Sequence, residues 1–115
     1  MAYDEYLTER IRNALKEQGA SFEEKKMFGG ICFMVDDKMC VGIIKNDLMV
    51  RLDPELHDQA VKREGARPMD FSGKSMKGFV YVEPAAIDLD SQLEEWVRLA
   101  LEYNPRAKAT KKKSP

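Results

Sequence analysis

Among its 115 residues the chain has one histidine, His57, and two cysteines, Cys32 and Cys40. That scarcity narrows the chemistry at once. A zinc site takes about four ligands and two thiols do not supply them, so no metal is expected. No Ser, Thr or Cys has a catalytic partner at a telling spacing, and Asp36-Asp37 reads as a turn rather than an acid–base pair. No apolar run approaches the ~20 residues of a membrane span. The first residues, with Asp4, Glu5 and Glu9, lack the basic-then-apolar pattern of a secretory leader. These absences lead to an expectation of a cytoplasmic, non-enzymatic protein without cofactor, its thiols reduced and packed.

What the chain has is charge, unevenly placed. Net charge is −1. Residues 1–105 hold 14 basic and 20 acidic side chains, a net of −6, while Arg106, Lys108, Lys111, Lys112 and Lys113 give the last ten residues +5. An acidic body argues against a broad nucleic-acid face. Residues 106–115 have no apolar side chain larger than alanine and read as a disordered basic tail on a single domain, 1–105. Five cations without an aromatic residue would at most give weak, salt-sensitive, sequence-independent contact with nucleic acid.

The centre of the chain is three apolar segments, 31–35, 39–44 and 48–52, rich in β-branched and sulfur residues and separated by Asp36-Asp37 and Asn46-Asp47. This is the pattern of an antiparallel meander with tight turns. A two-residue turn at Asn46-Asp47 sets Ile43 opposite Val50. It places Met39, Val41, Ile43, Leu48, Val50 and Leu52 on one face, and Met49 and Arg51 on the other. The side taken by Phe33 and Cys40 depends on the first turn, and one residue of slip reverses it.

Around the meander, Leu7, Ile11, Ala14 and Leu15 recur at helical spacing before Gly19. Residues 21–26 are polar and extended. Gly29-Gly30 marks a bulge, a tight entry or a close backbone approach. Asp53-Pro54 starts a short helix with an inward Leu56, Ala60 and Val61 stripe, which puts His57 at the surface. Segments 67–71 and 77–83 read as two further strands, the one with Pro68 at an edge. A last helix carries Leu89, Leu93, Trp96, Val97, Ala100 and Leu101 inward, is capped by Asp90 or Ser91, and stops at Asn104-Pro105. The sum is an α+β domain of two layers, α-β3-α-β2-α, with about five antiparallel strands and helices mainly on one face.

Lys26-Met27-Phe28-Gly29-Gly30, Asp47-Leu48-Met49-Val50-Arg51, Arg67-Pro68-Met69-Asp70-Phe71 and Met76-Lys77-Gly78-Phe79-Val80-Tyr81-Val82 occur in that order. As a set, over about residues 3–103, they resemble the amino-terminal domain of the TfoX/Sxy competence-regulator family. The resemblance implies a fold of the secretion-chaperone and YjbR-like type. It also implies a bacterial setting in which family members coactivate transcription of DNA-uptake genes alongside the cyclic-AMP receptor protein. Family members of full length carry a second, helical domain, so this chain is expected to be a stand-alone form.

The expected activity is therefore binding. Arg51, Arg67, Lys74 and Lys77, with Met49 beside them, would make a cationic patch for an acidic protein partner. The alternative is that Arg51 pairs with Asp70 or Glu83 and only holds the sheet together. An uncovered apolar sheet face would also suit a homodimer.

Overall fold

The computed structural model describes residues 5–27, 30–71 and 74–107, of which 27, 69–71 and 74–76 are described by backbone alone. One six-stranded antiparallel sheet runs through it: β1 Glu23–Met27, β2 Gly30–Val35, β3 Lys38–Ile44, β4 Asp47–Arg51, β5 Ala66–Phe71 and β6 Lys74–Val82, in the spatial order β1-β2-β3-β4-β6-β5. Helix α1, Glu5–Glu17, and helix α3, Asp90–Tyr103, pack on each other and on one face of this sheet. The α+β, two-layer expectation holds with one strand more than the five expected.

The added strand is β1, read from sequence as extended polar chain. Four of its residues, Glu23, Glu24, Lys25 and Lys26, are charged and exposed, so no apolar alternation marks it. It is an edge strand, where such charges also discourage unwanted pairing. Its Glu24 is held by Arg12 of α1, at 2.5 Å from Nε to Oε2 and 2.8 Å from Nη2 to Oε1. The arginine pulls the Glu24 carboxyl below its usual range.

Both turns of the meander are two residues long, but the second forms one residue early. Asp36 and Asp37 have φ of 56° and 62°, the paired positive values of a type I′ turn. The next turn is Lys45-Asn46, with Lys45 at φ 59° and Ile44 facing Asp47. Val50 is therefore opposite Val41 rather than Ile43. A shift of two keeps every side chain on its face, so hydrophobic patterning does not distinguish the two registers. Val41, Ile43, Leu48, Val50 and Leu52 all enter the core as expected.

Met39 does not. The β2–β3 register changes between Phe33, opposite Val41, and Met34, opposite Met39, so that Cys40 is an extra residue in β3. This bulge turns Met39 to the face away from the helices and leaves Cys40 and Phe33 in the main core. At Gly30 a Cβ would lie 1.9 Å from the Ile43 carbonyl oxygen, so the close backbone approach among the three readings of the glycine pair is the one realised there.

Side chains from both layers make the core: Phe33, Val41, Ile43, Leu48, Val50, Leu52, Val80 and Val82 from the sheet, Leu7, Ile11 and Leu15 from α1, and Leu93, Trp96, Val97 and Ala100 from α3. Burial of aliphatic and aromatic side chains at roughly 1.5–3 kcal/mol each is the main stabilising term. Gly19, at φ 79°, ends α1; its N–H donates to Lys16 O and that of Ala20 to Leu15 O. Arg10 ties α1 to the entry of α3, donating to Ile87 O at 2.8 Å and to Asp90 Oδ1 at 3.1 Å.

Three helix details differ from the sequence reading. The segment after Asp53 is a 3-10 turn, Pro54–Leu56, and one α-turn, α2, His57–Ala60, rather than one short α-helix running on through Val61. Asp53 caps it as expected, accepting from Glu55 N–H at 2.9 Å. Because the 3-10 turn rotates the chain, Leu56 is 37 % exposed and His57 is buried. In α3 the cap is Leu89, 60 % exposed rather than inward, and its N–H donates to Gln92 Oε1 at 2.9 Å. The stop at Asn104 holds, and Asn104 Nδ2 donates to Val35 O at 3.1 Å.

Candidate functional site on the outer face of the sheet

The strands that feed the core with alternate residues present the others on the face away from α1 and α3. On β4 these are Met49 and Arg51, on β6 Phe79 and Tyr81, and on β5 Arg67. The ladder sets Arg51 opposite Phe79, and Met49 opposite Tyr81, which in turn is opposite Arg67. Two arginines thus lie over two aromatic rings. The Arg51 guanidinium carbon is 5.4 Å from the Phe79 centroid and that of Arg67 is 5.1 Å from the Tyr81 centroid. Cation–π contact of this kind is worth about 0.5–1 kcal/mol at exposed sites.

Arg67 is also paired with Asp47, Nη2 to Oδ2 at 2.5 Å. Burial raises the Tyr81 hydroxyl above its ordinary range, with Arg67 working against that and Asp47 adding to it. Arg51 has no ion pair among the described residues. Glu83 is not its partner, and the Asp70 side chain lies outside the described residues. Lys77 is exposed. The side chain of Lys74 lies outside the described residues, as do Lys108, Lys111, Lys112 and Lys113.

The structure brings Arg51 and Arg67 to one face and separates Met49 from them in depth. Met49 is 2 % exposed, the floor of the face rather than a contact surface. It packs with Cys32, Met34 and Met39, and Ile44, Phe79 and Tyr81 lie against this second cluster. Sequence reading missed Phe79 and Tyr81 as site residues. The signal was present, because both alternate with the core residues Val80 and Val82 next to arginine-bearing strands.

Arg106, expected to open the tail, is bound into the domain by Asp53, 3.0 Å away, and lies 5.3 Å over the Tyr103 ring. It sits in a 3-10 turn, Asn104–Arg106, and Ala107 after it is buried.

The histidine and the two cysteines are all buried. His57, expected at the surface, is 5 % exposed, and its Nδ1 accepts the Gly78 N–H at 3.0 Å. Gly78 has φ 89°, and its carbonyl accepts from Leu52 N–H at 2.8 Å, so the imidazole stitches α2 to the junction of β4 and β6. An imidazole held this way is a structural acceptor and not an available base. Burial pushes the Cys32 thiol up to about 11 and the Cys40 thiol up to about 12, which keeps both protonated and unreactive at neutral pH. A groove of about 630 Å³ runs between the end of α1 and the start of α3 and is lined by Glu17, Ser91, Glu94, Glu95 and Arg98 among others. Among the described residues no three His, Cys, Asp or Glu side chains converge on a metal position, and no helix is long and apolar enough to cross a membrane.

A family model described as the TfoX N-terminal domain matches residues 13–103. No curated protein matches the sequence.

Proposed function

Because the chain belongs to the TfoX N-terminal domain family, we propose that it is a protein-binding, transcription-accessory module that works without catalysing a reaction. Its outer sheet face takes an acidic segment of a partner protein. The observation that supports this reading is the pair of arginines, Arg51 and Arg67, held over the rings of Phe79 and Tyr81 on the face that the helices do not cover. Guanidinium groups already resting over a ring lose less freedom on meeting a carboxylate and can bind it with two hydrogen bonds. The aromatic rings add apolar contact area around them.

The partner in this reading belongs to the cytoplasmic transcription machinery, the setting that the family resemblance implies. A photo-cross-linker placed at Lys77, beside the arginine face, and another at Asn13, on the exposed side of α1, separate the faces in the native cell. An adduct with one acidic protein, formed from position 77 and lost on adding Arg51→Glu, supports the reading. Adducts of equal yield from both positions, or adducts indifferent to Arg51→Glu, refute it. An adduct of doubled chain mass makes the partner a second copy.

A further inference from the structure

Beneath the arginines the sheet gathers four sulfur atoms on one face. Cys32 and Met34 come from β2, two residues apart and therefore on the same side. Met39 of β3 is opposite Met34 because the bulge at Cys40 has turned it there. Met49 of β4 is two strands from Cys32, with Gly42 of β3 between them in the ladder. Gly42 has no side chain to keep them apart, and Met49 Cε lies 3.0 Å from where a Cβ would stand. All four side chains are nearly closed to solvent: Cys32 3 %, Met34 5 %, Met39 8 % and Met49 2 % exposed. The Cys32 Sγ–H points to Met34 Sδ at 3.7 Å.

We propose that this cluster is a Cu(I) site, with the Cys32 thiolate and the thioethers of Met34 and Met49 as ligands and Met39 as a fourth sulfur beside them. Thiolate and thioether donors without oxygen or nitrogen select Cu(I), whereas Zn(II) is held by thiolates, imidazoles and carboxylates. On binding, the Cys32 S–H bond breaks, its proton passes to solvent and an S–Cu bond forms; no electron is transferred. A monovalent cation with one thiolate is neutral, the charge state that a buried apolar pocket tolerates best. Methionine side chains have the torsional freedom to close on the ion. Cys40 belongs to the core on the helix side and is not a ligand.

The test is an anaerobic titration of the reduced full chain with Cu(I) against a chromophoric Cu(I) chelator. The ultraviolet thiolate-to-Cu(I) charge-transfer band is read in parallel, and circular dichroism checks the fold of each variant. The proposal expects one Cu(I) per chain, no retained Zn(II), loss of the band in Cys32→Ser and binding as in the parent in Cys40→Ala. The near-isosteric Met34→Leu and Met49→Leu variants, which keep the apolar volume, should each weaken binding about tenfold or more while melting as the parent does. Three results overturn it: failure to withhold Cu(I) from the chelator, binding that survives Cys32→Ser, or equal affinity in a folded Met34→Leu/Met49→Leu double variant.

Discussion

Replacing His57 by alanine tests whether the single histidine is structural. The imidazole is buried, and its Nδ1 is the acceptor for the Gly78 N–H at 3.0 Å. Alanine leaves that N–H buried without a partner, at a cost of about 1–3 kcal/mol. The emptied ring volume adds roughly 1–2 kcal/mol. The sum is about 3 kcal/mol, which for a domain of this size lowers the melting temperature by about 12–15 °C at ~4–5 °C per kcal/mol. Asparagine carries its amide oxygen close to where Nδ1 stood. His57→Asn should therefore recover the hydrogen-bond part, about 1–3 kcal/mol, and lose only packing. Urea unfolding at constant m-value measures both variants. His57→Ala within about 0.5 kcal/mol of the parent, or His57→Asn no better than His57→Ala, would refute the reasoning.

Two further predictions follow from burial and close approach. The thiols of Cys32 and Cys40 are pushed up from 9.0 to about 11 and about 12, so the folded chain keeps two protons that the unfolded chain sheds above pH 9. Stability from this source is complete below about pH 9 and is lost as pH rises through 11 and 12, by up to about 1.4 kcal/mol per pH unit for each thiol. Cys32→Ser should show about 1 kcal/mol less loss than the parent between pH 8 and pH 10 under reducing conditions, and equal losses would contradict the burial of that thiol. Gly30→Ala places a Cβ 1.9 Å from Ile43 O, whereas Gly19→Ala meets no atom within 4 Å and only a positive φ of 79°. The first should cost at least about 2 kcal/mol in denaturant unfolding and the second about 1 kcal/mol; the reverse order would contradict the β2–β3 register.

The meander was legible because Asp36-Asp37 and the apolar runs around it carry their own period, and α3 because its stripe from Leu93 to Ala100 has no competing pattern. The β1 strand was not legible: Glu23-Glu24-Lys25-Lys26 shows no apolar alternation, and only its pairing with β2 makes it a strand. Met39 was placed on the wrong face because a one-residue bulge at Cys40 changes the ladder and leaves no mark in composition. His57 was assigned outward on the assumption of a continuous α-helix from Asp53; the 3-10 turn at Pro54–Leu56 shifts the inward direction by about one residue. At the site, Arg51 was read on the correct face from strand parity alone. The ring beneath it required knowing that β4 lies beside β6, a long-range fact that no local pattern encodes.

The account rests on the outer face of the sheet as the surface that meets an acidic partner. Two-dimensional nuclear magnetic resonance of the full chain, titrated with a polyglutamate peptide and separately with duplex DNA at one ionic strength, probes that face residue by residue. The account predicts peptide-induced shifts at Arg51, Arg67, Phe79 and Tyr81, absent in an Arg51→Glu/Arg67→Glu variant, with α1 unmoved. Shifts confined to α1 and α3, or a response to DNA and none to the peptide, would contradict it.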